Sequence, residues 1–178
     1  MNKVDLEHVR KLVKRDEKYK RFRAAVEKNP NLKLAFDDLH DELNSMHKMR
    51  LTRSLNRKSK RFTKDVIDAM THDTSCRSRC AEILMSCLAI TGDFQDTLNN
   101  LRDYLMLEYG GRITTGRSSK EERRQFMENV LRPFFRYIHK VEQLKKHAEY
   151  LVEDIDKASY RFRDVIEAIK LLGKPESL

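Results

Sequence analysis

Apolar residues recur at three- and four-residue steps along most of this chain, the spacing that places them on one face of an α-helix. The first periodic segment covers about residues 4–27, and the second begins near Asn31. Because Asn29-Pro30-Asn31 separates them, the pattern predicts an antiparallel hairpin of two helices. Three shorter helices are predicted downstream, over about 63–71, from Asp73 or Ser75 to Ile90, and from Asp93 to Gly110-Gly111, with Gly92 ending the middle one.

The C-terminal segment carries the most regular repeat. From Phe134 to Leu172 its apolar residues follow alternating three- and four-residue steps, which predicts a helix roughly 55 to 60 Å long. A third apolar position widens the stripe beyond a two-stranded seam, so we expect a bundle or an assembly of several chains. The residues expected to mediate self-association are Val141, Leu144, Leu151, Ile155, Phe162, Val165 and Ile169.

Together these patterns predict an all-α protein of about six helices, with an N-terminal hairpin and a helical core that includes the long heptad helix. We expect a basic helical arm over residues 1–62 and a helical bundle over 63–178, or one continuous domain. Ser119 with Glu122 three residues later matches a capping box, which predicts another helix start. No apolar run approaches the roughly 18 to 20 residues of a bilayer-spanning helix, so no membrane role is expected.

Charge adds a candidate function between Leu43 and Lys64. The chain has 178 residues and a net charge of +9, yet this window of 22 residues contains no acid. Several of its cations recur at helical spacing, which would stack them along one face and favour a polyanion such as nucleic acid. A solvated basic face is the alternative. The predicted phosphate contacts are Lys48, Arg50, Arg53, Arg57, Lys58, Lys60, Arg61 and Lys64.

Two further basic segments support the same class of function. Arg112 and Arg117 lie in a Gly- and Thr-rich stretch before the helix predicted at Ser119, and helix N-termini favour anions. We expect them to form a second phosphate-binding patch, although an ordinary connector fits the same pattern. The first helix is also basic, and Tyr19 within it suits either stacking on a base or packing at the helix edge.

The cysteines and histidines give little support for catalysis or for a metal. Cys76, Cys80 and Cys87 share one helical face and His72 precedes them by one turn, but no second ligand pair follows. We therefore expect buried structural thiols, no metal, no cofactor and no enzymatic activity. Three cysteines are an odd number, which argues against a disulfide framework and favours a reducing compartment, the cytoplasm, or the host cytoplasm for a viral chain.

The order of the predicted helices and loop over residues 101–172 gives a further indication of function. Leu107-Glu108-Tyr109-Gly110-Gly111-Arg112 ends one helix, a polar loop leads to Ser119, and a heptad helix follows through Lys140-Val141-Glu142-Gln143-Leu144-Lys145. This order resembles that of the recombination mediators of T4-type bacteriophages. The resemblance implies a homo-oligomer that binds single-stranded DNA and helps to load a recombinase.

The sequence therefore predicts a non-enzymatic accessory protein that binds single-stranded DNA without sequence preference, as a homo-oligomer, with RNA as the alternative nucleic acid. Phosphate contacts would supply the affinity, and several subunits would multiply weak contacts by avidity. The alternative is a helical adaptor, virion component or inhibitor whose basic face docks on an acidic protein partner.

Overall fold

A computed structural model describes residues 3–51, 55, 61–113 and 119–172 of the chain. This described part is all-α, as predicted, and its long C-terminal helix has 41 residues. Short 3₁₀ turns cover Pro30–Leu32 and Gly110–Ile113. The α-helices are α1 (Lys3–Arg15), α2 (Glu17–Lys28), α3 (Phe36–Lys48), α4 (Phe62–Tyr109), α5 (Lys120–Val130) and α6 (Arg132–Leu172).

The first predicted helix is divided at Asp16. The Asp16 carboxylate accepts hydrogen bonds from the backbone N–H groups of Lys18 (2.8 Å) and Tyr19 (3.0 Å), which makes it the N-cap of α2. Its second oxygen accepts from the hydroxyls of Tyr104 (3.2 Å) and Tyr109 (2.9 Å). A short acidic side chain that satisfies the free N–H groups of a helix start favours this division.

The three short helices predicted over about 63–109 form one helix, α4, of 48 residues. Gly92 was predicted to end a helix, but it lies within α4, exposed and with no atom within 4 Å of a Cβ built on it. A glycine costs a helix about 1 kcal/mol relative to alanine. Burial of one neighbour such as Ile90 or Phe94 contributes roughly 1.5–3 kcal/mol, which outweighs that cost.

The chain divides into two compact units built from discontinuous segments. Unit 1 comprises residues 1–35 and 88–142, and unit 2 comprises residues 36–87 and 143–178. The division falls within α4 and within α6, so it does not coincide with the boundary predicted between residues 62 and 63.

Unit 1 has an aromatic cluster beside its aliphatic core. The ring centroids of Phe22 and Phe94 are 5.6 Å apart, those of Phe22 and Phe134 are 5.0 Å apart, and those of Phe94 and Tyr137 are 5.7 Å apart. Edge-to-face and stacked pairs of this kind stabilise a fold beyond their buried area. The cluster joins α2 to the parts of α4 and α6 within unit 1. The buried aliphatic residues of this unit include Val9, Val13, Leu98, Leu101, Leu105, Met127, Val130 and Leu131.

Unit 2 buries part of the heptad stripe within the chain itself. Leu144, Leu151 and Ile155 of α6 are at most 2% exposed, and they share the core with Leu43 and Cys80. Val141, in unit 1, is 0% exposed. The prediction that these four heptad residues mediate self-association is therefore wrong, since they have no free surface to offer a second chain.

None of the described helices contains a stretch that is both long enough and apolar enough to cross a bilayer.

Candidate functional site

Arg50, one of the predicted phosphate contacts, lies inside unit 2. Its Nη2 and Nε donate to Asp73 at 2.8 and 3.2 Å, and its Nη1 forms an ion pair with Asp154. Burial alone would lower the pKa of Arg50, but hydrogen bonds and charge from the two aspartates raise it overall. The side chain is 2% exposed, so the prediction that Arg50 contacts phosphate is wrong.

The acid-free window does not form the continuous helix that would align its cations. Helix α3 ends at Lys48, and Arg50 and Leu55 lie outside any helix before α4 begins at Phe62. Lys48, Arg61 and Lys64 are exposed, which leaves them as predicted contacts. The predictions for Arg53, Arg57, Lys58 and Lys60 fall outside the described residues.

The second predicted patch is described only in part. Arg112 is exposed in the 3₁₀ turn after α4, and its guanidinium lies 5.8 Å from the ring centroid of Tyr109. Arg117 falls outside the described residues. The capping box predicted at Ser119 is confirmed, since its side chain accepts from the N–H of Glu122 (3.1 Å) and the Glu122 carboxylate accepts from the N–H of Ser119 (3.0 Å).

The three cysteines are buried free thiols, as predicted. Cys76 Sγ lies 3.8 Å from His72 Nδ1, one turn away on α4. Burial raises the pKa of each thiol, and it raises that of Cys80 to about 11. Within the described ranges, no group of three or more His, Cys, Asp or Glu residues could hold a metal ion.

Unit 2 also brings together histidines that the sequence spaces widely. His40 Nδ1 of α3 lies 3.0 Å from His147 Nδ1 of α6, and the two rings stack with centroids 5.3 Å apart. One nitrogen must donate and the other accept, so the pair shares a proton. Burial lowers the pKa of His147, and the charges of His40 and His47 lower it further. Nothing in the spacing of these residues along the chain predicts this contact.

A cavity in unit 1, which we call the cation groove, gathers exposed cations from two helices. This cavity of about 660 Å³ is lined by Arg10 and Lys14 of α1 and by Arg132 and Arg136 of α6. All four side chains belong to exposed residues. Arg23 and Glu27 of α2 line the same cavity, but they pair with each other at 2.7 Å.

Unlike Arg23, which pairs with Glu27, these four cations have no acidic partner in the described part of the chain. Among the described residues, no carboxylate lies within 4.0 Å of Arg10, Lys14, Arg132 or Arg136. Like charges gathered on one surface repel one another, and an anion that enters the cavity relieves the repulsion. The cation groove is therefore suited to bind a polyanion.

Tyr19 takes the second of its two predicted roles. Tyr19 is only 6% exposed, and its ring packs edge-on against that of Phe134, with the ring centroids 6.2 Å apart. Both rings line the cation groove, but Tyr19 is held in the core and is not presented as a free stacking surface.

A second cavity adjoins the first and shares Asn129, Arg132 and Arg136 with it. This cavity of about 840 Å³ is lined by four carboxamides, and we call it the amide groove. Gln95 and Asn99 lie one turn apart on α4, and Gln125 and Asn129 lie one turn apart on α5. The two arginines thus form a ridge between a cationic and an amide-lined cavity.

The sequence indicated that the first helix is basic, but Arg132 and Arg136 were not predicted as contacts, although the same kind of signal was present. Residues 129–141 contain no acid and carry Arg132, Arg136 and Lys140. The window is shorter than the one at 43–64 and was absorbed into the heptad pattern. Nothing in this window indicates that α1 contributes to the same cavity.

Comparison with known proteins adds no relative. The chain matches no protein-family model, no curated protein and no solved structure.

Proposed function

We propose that this protein is a non-enzymatic accessory protein that binds single-stranded nucleic acid, with DNA preferred, through phosphate contacts in the cation groove. The observation that carries the proposal is the convergence of Arg10, Lys14, Arg132 and Arg136 on one cavity without a described acidic partner. Phosphate contacts of this kind are independent of sequence and dominate the affinity of most nucleic-acid-binding proteins. A net charge of +9 favours the same class of partner.

Three exposed cations of the acid-free window, Lys48, Arg61 and Lys64, are further proposed phosphate contacts in unit 2, and Arg112 is another in unit 1. Each added phosphate contact would raise the affinity. The resemblance to the recombination mediators of T4-type bacteriophages is consistent with this function and suggests a role in loading a recombinase.

Self-association remains part of the proposal, but its surface moves to the end of α6. Phe162 and Val165 of the predicted heptad set are half-buried, while Tyr160 and Leu171 are 65% and 71% exposed. Exposed large apolar side chains on one segment are typical of contact surfaces between chains. A homo-oligomer would multiply weak phosphate contacts by avidity. We also propose a reducing, cytoplasmic location, in keeping with three buried free thiols.

Fluorescence anisotropy tests the proposal with labelled single-stranded DNA, duplex DNA and single-stranded RNA, on wild type and on Arg132→Gln/Arg136→Gln. We expect wild type to bind single strands most tightly and the double variant to lose at least about tenfold in affinity, the effect of about 1.4 kcal/mol. The matched control is Lys146→Gln/Arg161→Gln, which removes the same charge from exposed positions of α6 outside both grooves.

Two results would overturn the proposal. If the control weakens binding as much as Arg132→Gln/Arg136→Gln, net charge and not the cation groove determines affinity. If wild type binds no strand, the alternative of a helical adaptor that docks on an acidic protein takes its place.

A further inference from the structure

The amide groove has a chemistry different from that of the cation groove beside it. Phosphate oxygens only accept hydrogen bonds, whereas a carboxamide offers an acceptor oxygen as well as an NH₂ donor. Four carboxamides around one cavity therefore provide four acceptors that a phosphate could not use. Gln95, Gln125 and Asn129 are exposed and Asn99 is half-buried, so their polar atoms line open space.

Among the parts of a nucleic acid, the bases match the combination of hydrogen-bond donors and acceptors that the carboxamides offer. A base edge presents donors and acceptors side by side, and Asn and Gln pair with such edges through both atoms of the amide. In a single strand the Watson–Crick edges are free to make these bonds, whereas in a duplex they are already paired. Half-buried Phe135 adds an aromatic ring to the lining of the cavity.

Four arginines and one carboxylate, Glu128, also line the amide groove. Glu128 lies 3.1 Å from Arg124 Nε and 3.7 Å from Arg102 Nη1, so two of the lining arginines already have a carboxylate partner. Arg132 and Arg136, which also line the cation groove, have no carboxylate partner among the residues that the structure describes. Phosphates attracted to these two arginines would lie at the border of both cavities.

We propose that the amide groove binds unpaired bases of a single-stranded nucleic acid whose phosphates lie against Arg132, Arg136 and the cation groove. This inference rests on the proposed function and adds a base-binding subsite to it. The ridge of two arginines holds the backbone, and the carboxamides of Asn99 and Gln125 approach the base from α4 and α5. The subsite explains why a single strand would be preferred to a duplex of equal charge.

The test compares a single-stranded DNA with an abasic strand of the same length and phosphate number, by competition anisotropy. Because an abasic strand offers no base edge to the carboxamides, we expect wild type to bind it at least about fivefold more weakly than the normal strand. In Asn99→Ala/Gln125→Ala the ratio of the affinities for the normal and the abasic strand should fall to less than about half of its wild-type value. The dependence of affinity on salt should stay as in wild type. The control is Asn44→Ala/Asn100→Ala, two exposed amides that line neither groove.

The outcomes separate the two proposals. Equal binding of normal and abasic strands by wild type would overturn the base-binding subsite and leave the phosphate-binding function in place. A base-dependent affinity that Asn99→Ala/Gln125→Ala does not reduce would also overturn the subsite, because the bases would then bind elsewhere. Failure of wild type to bind either strand would overturn both proposals.

Discussion

Arg50 and Asp73 form a two-point ion pair inside unit 2, with Nη2 and Oδ2 2.8 Å apart and both side chains at most 5% exposed. The pair connects the segment after α3 to α4, and Asp154 of α6 completes it. A buried charge whose partner is removed destabilises a fold strongly, because its desolvation is no longer compensated. The arginine thus contributes to the fold and not to the binding of a ligand.

Arg50→Met is expected to lower the free energy of unfolding by about 3–5 kcal/mol, since Asp73 and Asp154 would lose the buried guanidinium that pairs with both of them. Urea denaturation measures the loss. Arg77→Met is the matched control, because Arg77 pairs with Asp156 at 2.7 Å but both side chains are at least 40% exposed. The control should lose less than about 1 kcal/mol. Equal losses in the two variants would show that the buried pair has no special role.

The His40–His147 contact predicts a dependence of stability on pH. The pKa of His147 lies below its ordinary value of 6.5 in the folded chain, because burial disfavours the charged ring and His40 and His47 repel it. The unfolded chain therefore takes up this proton at higher pH than the folded chain does. Stability is then fully present above about pH 6.5 and decreases as the pH falls below that value.

His147→Gln should flatten this decrease in a series of urea denaturations at falling pH. His8→Gln, at an exposed position on α1, is the control and should leave the slope as in wild type. A slope unchanged in His147→Gln would mean that other groups cause the dependence on pH.

The buried thiols are expected to react slowly in the native protein. Thiolates and not thiols attack alkylating reagents, and burial raises the pKa of Cys80 to about 11. Labelling with iodoacetamide should modify few of the three cysteines in buffer and all of them in denaturing urea. Rapid labelling of the native protein would contradict the burial of this face of α4.

The cation groove predicts a specific effect on salt dependence. For single strands, log K falls with log salt by about 0.7 per phosphate contact, so Arg10→Gln/Lys14→Gln should reduce the slope by about 1.4. Anisotropy titrations between roughly 50 and 200 mM salt measure it. Lys146→Gln/Arg161→Gln again serves as the control. An unchanged slope in the α1 variant would exclude Arg10 and Lys14 from the contacts.

Self-association through the end of α6 is open to a simple test. Tyr160→Glu/Leu171→Glu should shift the protein towards the 21.2 kDa monomer, because like charges would face each other in the contact. Light scattering after size-exclusion chromatography measures the mass. Met85→Glu/Leu107→Glu changes two other exposed apolar side chains by the same charge and should leave the mass unchanged. Equal masses for wild type and the α6 variant would contradict the proposed surface.

Local patterns along the chain predicted much of the fold. The heptad repeat located α6 to within two residues of its start, and the Ser119–Glu122 pair located the start of α5. Both depend on interactions within one or two helical turns, which are determined by residues close in the sequence. The breaks expected at Gly92 and near Asp73 were wrong because packing outweighed the weak preference of a glycine, and because Asp73 pairs with Arg50 and does not cap a helix.

By itself, the sequence determined the helical class, the long final helix, the burial of the cysteines and the excess of positive charge. All of these follow from composition and from spacing within a helix. Only the tertiary structure decided which cations are available, since burial beside Asp73 and Asp154 removes Arg50 while Arg132 and Arg136 remain exposed next to α1. The physical reason is that contacts with residues distant in the sequence determine whether a charged side chain is free to bind a ligand. No local sequence pattern indicates those contacts.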